Sequence, residues 1–274
     1  MENLLERVKQ TVEFIRSKVD FKPQYGIILG TGLGGLVEEI EVEHRLRYQD
    51  IPNFPVATVK GHSGELIFGK IGEKKVVAMS GRFHYYEGYS MQEVTFPVRV
   101  MKFLGIEILF IGSAAGGLNQ HIHTGDLVIL RDHINLQPEH PLRGPNEEKF
   151  GTRFPDMLHT YDRELIRKGL KIANEKGIRC HSGVYVGVQG PSLETPAEYL
   201  FMHRIGGDVV GMSTVSEVIV AKHMDLKVFA VAVCTDMGYP PDAIQVTTHD
   251  HVIEVAKAAE PKLADIFKTL ITTL

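Results

Sequence analysis

The 274-residue chain has only two cysteines, Cys180 and Cys234, far apart and in no paired motif. That argues against a disulfide framework and fits a reducing, cytoplasmic setting. Positive charge is not in excess either, since 30 Lys and Arg stand against 34 Asp and Glu for a formal net charge of −4. A chain so balanced has no basic surface to track nucleic-acid phosphates, so any phosphate site has to be local. No run reaches the ~18 apolar residues of a membrane span. The N-terminal MENLLERVKQTVEFIRSKVD breaks its apolar positions with charge, as an amphipathic surface helix does. H-E-x-x-H, paired C-x-x-C and Walker motifs are missing, and HIH at 121–123 reads as a short extended loop, so no metal is expected. The serines of GMSTVSE and GHSGE lack the G-x-S-x-G elbow of a serine hydrolase. There is no internal repeat, low-complexity tract or linker, which predicts one domain over 1–274.

What is present is an α/β pattern. Hydrophobic residues make up 43% of the chain, ample for a substantial core. Strand-like runs occur at 25–29, 65–71, 75–79, 107–111, 126–130, 183–188, 208–210 and 227–233. Helical periodicity interleaves with them at 90–104, 162–176, 196–205, 215–224 and 249–270, with Gly105 and Gly177 placed as C-terminal caps. The GEK connection near residue 73 is of hairpin length and makes two strands antiparallel neighbours, so the expected architecture is a mixed central sheet flanked by helices. Residues 135–160, rich in Pro and Gly, form a long connection of the kind used as a lid, a binding loop or a subunit contact.

YGIILGTGLGGL, residues 25–36, carries glycines at 30, 32 and 35 in the G-x-G-x-x-G spacing. An apolar strand entering such a turn aims backbone N–H groups at one point, which suits a dinucleotide, a single anion or a purely structural turn. Asp50 stands about 20 residues on, where a dinucleotide fold needs a ribose-binding acid. The segment before it, EVEHRLRYQD, is charged throughout, unlike a strand covered on both faces. The single anion is therefore the favoured reading.

Six apolar runs end in small polar or charged residues: IILGTG, VAMSGRFH, LFIGSAAGG, VYVGVQGPSLET, VVGMST and AVAVCTD. Ligands of α/β sheets sit beyond the carboxyl ends of strands, so six such ends predict one composite pocket. Thr31, Arg82, His84 and Ser213, with the amides of Gly32 and Ala114, form a donor set for a tetrahedral dianion, the arginine gripping two of its oxygens. Glu194 and Asp236 follow apolar strands and place carboxylates at the rim, as acid/base groups or as acceptors for a base. Glu194 could equally do no more than precede a helix capped by Thr195. Tyr86, Met212 and Phe154 can wall a slot for a flat ring or sugar.

The motifs GTGLGG, GHSGEL, GRFHYYEG, SAAGGLN, GTRFPDM, GPSLETPAE and GMSTVSE, in this order over residues 30–217, resemble the trimeric purine nucleoside phosphorylases. The resemblance implies reversible phosphorolysis of purine nucleosides, with inorganic phosphate as co-substrate and no cofactor. It implies a phosphate site of Thr31, His62, Arg82, His84, Ala114 and Ser213. Tyr86, Met212 and His249 would contact the ribose, and Phe154 would reach a neighbouring subunit's ribose in a homotrimer. Glu194 and Asp236 would meet the base, and His84, Glu194 and Asp236 would carry the catalytic work.

Two positions depart from the family pattern. Thr235-Asp236 stands where Thr-Asn is common, and Ser113 where Asn is common. A protonated Asp236 can donate to purine N7 while its carbonyl oxygen accepts from a 6-amino group, which extends the expected range to adenosine. The Thr-Asp pair also resembles methylthioadenosine phosphorylase. A non-catalytic nucleotide-binding protein and a nicotinamide dehydrogenase are the readings from other classes.

Overall fold

The structure is a computed structural model that describes residues 3–56 and 64–274. Its centre is a mixed sheet of nine strands: β1 (Tyr25–Leu29), β2 (Glu41–Arg47), β3 (Glu65–Ile71), β4 (Lys74–Ser80), β5 (Ile108–Gly117), β6 (Leu127–Asn135), β7 (Cys180–Gly187), β8 (Val209–Gly211) and β9 (Lys227–Met237). The helices are α1 (Leu4–Lys18), α2 (Met91–Val94), α3 (Phe96–Leu104), α4 (Arg163–Glu175), α5 (Pro196–Arg204), α6 (Val215–His223) and α7 (His249–Thr273).

The strand order is β2-β3-β4-β1-β5-β8-β7-β6-β9, and β9 pairs back onto β5. The second half of the sheet therefore closes on itself. β5 pairs parallel with β9, β9 antiparallel with β6, β6 parallel with β7, β7 parallel with β8, and β8 antiparallel with the end of β5. Strand β5 can serve both halves because it is ten residues long: Ile108–Gly112 pair with β1, and Gly116 and Gly117 pair with β8. Strand β2 was not among the expected strands. It is an antiparallel edge strand on β3 with mostly exposed side chains, so charges such as Arg45, paired with Glu65 at 2.9 Å, are compatible with it.

Helices α1, α3 and α6 cover one face of the sheet, and α4 and α7 the other. Leu5, Val8, Val12 and Ile15 turn the apolar stripe of α1 inward, and the side chain of Asn3 caps it by accepting from Leu5 N–H at 3.0 Å. Gly105 and Gly177 end their helices at φ of 118° and 64°, conformations that disfavour a Cβ. Residues 136–162 contain no helix or strand. Arg153 ties this loop together by donating to the carbonyls of Leu142 and Gly144 at 3.1 and 2.8 Å.

Candidate active site

All six strand ends meet in a cavity of about 450 Å³. β1 contributes Gly30 and Thr31, β4 leads to Arg82, His84 and Tyr86, and β5 supplies Ala114, Ala115 and Gly116. β7 leads to Pro191, Leu193 and Glu194, β8 to Met212 and Ser213, and β9 ends in Thr235 and Asp236. The start of α7 adds His249 and Val252. β1, β4, β5 and β9 run parallel and end on one side, and closure of the sheet through β7 and β8 brings their ends to the same place, so residues as distant in sequence as Gly30 and Asp236 converge. Of the sequence-derived candidates, His62 lies outside the described residues. Phe154 is on the surface, 85% exposed, with the Arg153 guanidinium 5.7 Å from its ring centre.

The phosphate-type donors sit on one side. Arg82 is fully buried, and its bidentate edge is not turned to the cavity as its donor role suggested. Nε and Nη2 donate to the two carboxylate oxygens of Glu217, at 3.1 and 2.7 Å. Nη1 donates to the Gly112 carbonyl at 3.0 Å and to Ser213 Oγ at 3.1 Å, tying the guanidinium to the β5 backbone and the β8 end. Burying a guanidinium without a counter-charge is costly, so the Glu217 partner is what holds Arg82 in place. Glu217 escaped the sequence reading. Its signal was an acid in the otherwise apolar run VSEVIVA, a position that demands a buried cation.

His84 donates Nδ1–H to Glu87 Oε1 at 2.9 Å, and its backbone N–H donates to the same oxygen at 2.8 Å. This fixes the imidazole plane, against which Tyr86 stacks at 4.7 Å and 15°. The Tyr86 hydroxyl is pushed up to about 12 by burial and by Glu87.

The glycine turn does not leave its amides free for a dinucleotide. Only the first part of it, Gly30 and Thr31, reaches the cavity. Gly32, at φ 75°, is so close to α7 that an added Cβ would lie 2.7 Å from that of Ala256, and it does not line the cavity. The amide of Gly35, which a nucleotide pyrophosphate would need, donates to the Glu260 carboxylate of α7. Asp50 forms an exposed ion pair with Arg47 at 2.8 Å.

The cavity wall also carries two carboxyls, Glu194 and Asp236. Burial raises the Glu194 carboxyl, and the nearby Asp236 and Glu198 raise it further. Burial likewise raises Asp236, whose Oδ1 accepts from Thr235 Oγ1 at 2.9 Å. Thr195 caps α5 reciprocally with Glu198, so the segment serves both as a helix start and as a cavity wall. Ser113 lies behind the cavity, fully buried, its Oγ without a hydrogen-bond partner. Among the described residues no group of three or more metal-ligating side chains occurs, and HIH lies on a turn.

The sequence matches the Phosphorylase superfamily over residues 24–272. It is 47% identical to purine nucleoside phosphorylase 1 of Bacillus subtilis, over 97% of this chain and 98% of that protein. The chain belongs to the purine nucleoside phosphorylase family. The fold agrees with that of the Schistosoma mansoni purine nucleoside phosphorylase in complex with adenosine, at a TM-score of 0.93 and 42% identity, covering 98% of each chain. The same enzyme in complex with inosine gives a TM-score of 0.93 at 42% identity, over 98% of this chain and 97% of that one. A purine nucleoside phosphorylase needs an anion site and a base site on either side of a sugar, and the cavity is lined by both a donor set and a pair of carboxyls.

Proposed function

We propose that the protein is a pentosyltransferase catalysing reversible phosphorolysis of purine ribonucleosides and 2′-deoxyribonucleosides to the free base and α-(deoxy)ribose 1-phosphate, in purine salvage. The observation that carries the reading is the shared cavity of Thr31, Arg82, His84 and Ser213 with Glu194 and Asp236. Phosphate sits at the donor end, with His62 near its entrance and the Ala114 amide as a further donor. The ribose lies against Tyr86, Met212 and His249, and the base against Glu194 and Asp236.

As the C1′–N9 bond lengthens, the sugar becomes oxocarbenium-like and the purine gains negative charge. The phosphate dianion supports the sugar from below and captures C1′. Phosphate is already ionised, so no strong base is needed to activate it. The remaining work is leaving-group stabilisation, by a proton delivered to N7 from Asp236. No cofactor enters the scheme.

Phe154 belongs to the ribose site of a neighbouring subunit in a homotrimer. Its exposure beside Leu158, 72% exposed, supports an assembly contact. The net charge of −4 fits small-molecule partners rather than nucleic acid, no helix of the described residues is long and apolar enough to cross a membrane, and the cysteine usage supports a cytoplasmic setting.

Asp236 extends the substrate range to 6-aminopurines. A panel of inosine, guanosine, adenosine and methylthioadenosine, assayed with and without phosphate, tests the whole reading. Phosphate-dependent release of hypoxanthine and adenine is expected, together with a lower adenosine-to-inosine rate ratio in Asp236→Asn. Base release without phosphate dependence, or none at all, overturns it. Preference for methylthioadenosine would favour the second reading raised by the Thr-Asp pair. Sedimentation of wild type and Phe154→Ala checks the trimer.

A further inference from the structure

A second cavity, of about 400 Å³, shares no lining residue with the first. It lies between the 136–162 loop, the start of α1, α2, α3 and the end of α6. Arg99 of α3 lines it. This residue is 3% exposed, and its Nε and Nη1 are buried without a hydrogen-bond acceptor. The Phe150 ring, with its centre 4.4 Å from Cζ, is the favourable contact the guanidinium has. A cation–π contact offsets part of the cost of burying a guanidinium, and a negatively charged acceptor is needed for the rest. Arg82, the other deeply buried arginine, has such an acceptor in Glu217. Among the described residues no carboxylate forms an ion pair with Arg99, and burial lowers it to about 10, so it remains charged at neutral pH.

We propose that this cavity is a binding site for a small organic monoanion, which sets its carboxylate against Arg99 and its apolar body against the loop.

The charge of the ligand follows from the charges around it. Arg143 and Glu147 also line the cavity and cancel, although the Glu147 carboxylate is turned to its own loop and accepts from the Lys149 N–H at 3.2 Å. His223, at the end of α6, donates Nε2–H to the Thr152 carbonyl at 3.0 Å, and burial together with Arg99 lowers it, so at neutral pH it adds no charge. The charge of Arg99 is left over, and a monoanion neutralises it. Asn3 and Leu4 bring the N-terminus of α1 to the same cavity, and the partial positive charge of a helix N-terminus favours an anion there. A carboxylate matches the planar guanidinium with two oxygens. The volume exceeds what a bare carboxylate fills, and Leu4, Pro141, Leu142 and Pro145 offer an apolar wall for the remainder of the ligand.

Occupancy joins the loop to the helices. The roof is already fixed on one side, where Gly151 packs so closely on α6 that an added Cβ would lie 2.0 Å from the His223 carbonyl oxygen. On the Arg99 side the loop rests on the Phe150 ring, and a carboxylate held there adds a charged link between loop and α3.

Benzoate and hexanoate are the probes, with benzyl alcohol as a neutral counterpart. Calorimetric titration of the wild type at neutral pH is expected to give saturable binding of at least one carboxylate at millimolar concentration. Benzyl alcohol, and the same carboxylate with Arg99→Met, should bind at least about 10-fold more weakly, the loss of a hydrogen bond to a charged group. Arg99→Met removes a buried charge that has no counter-ion and keeps most of the side-chain volume, so it is expected to fold. Hydrogen exchange of the wild type with and without the carboxylate needs no variant and no turnover, and so stands apart from the phosphorylase reading. Protection is expected at residues 3–7 and 141–152. No saturable binding of either carboxylate, equal binding of benzyl alcohol, undiminished binding by Arg99→Met, or protection confined to the first cavity overturns the proposal.

Discussion

Arg82 and Glu217 face each other through two hydrogen bonds of 3.1 and 2.7 Å in the interior of the protein, each almost inaccessible to solvent. The pair joins the end of β4 to the first turn of α6, so the phosphate-side arginine is positioned by a carboxylate 135 residues away. Removing one partner of such a pair leaves a buried charge uncompensated. Glu217→Ala is expected to lose about 3–5 kcal/mol of stability, and Glu217→Gln less, because the amide oxygen still accepts one bond. Denaturant unfolding of the three proteins checks this.

Ser213 connects the same guanidinium to the anion end. Ser213→Ala removes one hydroxyl but leaves the Glu217 and Gly112 contacts of Arg82 intact. The expected result is a rise of about 5- to 20-fold in KM for phosphate, the equivalent of one hydrogen bond to a charged group. KM for the nucleoside should change much less, and initial-rate kinetics with each substrate varied separately measures both.

Asp236 sets a stability cost that depends on pH. Its folded-state carboxyl is raised by burial above the ordinary carboxylate range, so the unfolded chain ionises first as pH increases. Stability is then fully present below the unfolded value and falls as pH rises through the folded one. Asp236→Asn removes the titration while keeping an oxygen that can accept from Thr235. It is expected to be more stable than wild type by on the order of 1 kcal/mol at pH 8, and to lose that advantage near pH 4. Thermal melts across this range test the sign.

Glu260 fastens α7 to the glycine turn by accepting from the amide of Gly35. The same helix carries His249 and Val252 into the cavity. Glu260→Ala is expected to cost about 1–2 kcal/mol, the size of a lost helix cap. It should also weaken phosphate binding through Thr31, measurable by calorimetric titration.

Gly238 is where the Tyr199 ring lies. Gly238→Ala puts a methyl group into that ring and is expected to cost about 1–3 kcal/mol by overpacking. Activity should fall more steeply than stability, because Gly238 stands two residues after Asp236, and a displaced backbone there moves a carboxyl of the cavity wall. Parallel melts and kinetics separate the two effects.

Most strands, the helices and the convergence of six strand ends were legible in the chain, because apolar runs and glycine or polar breaks are local signals. The donor types at 31, 82, 84 and 213 were legible for the same reason: hydroxyl, guanidinium and imidazole state their chemistry wherever they stand. The exposed strand β2 was not, since an edge strand need not be apolar. Nor were Glu217 and Glu260, each of which matters through a partner distant in sequence.

Residue identity by itself determined which groups could bind an anion or hold a proton, and that the strands would be interleaved with helices. Only the tertiary structure decided which way those groups face. It closed β5 to β9 into a ring, gave the bidentate edge of Arg82 to Glu217 and gave the amide of Gly35 to Glu260. These are pairings between buried polar groups, selected by the cost of leaving any of them without a partner once water is excluded, and that cost exists only in the folded chain.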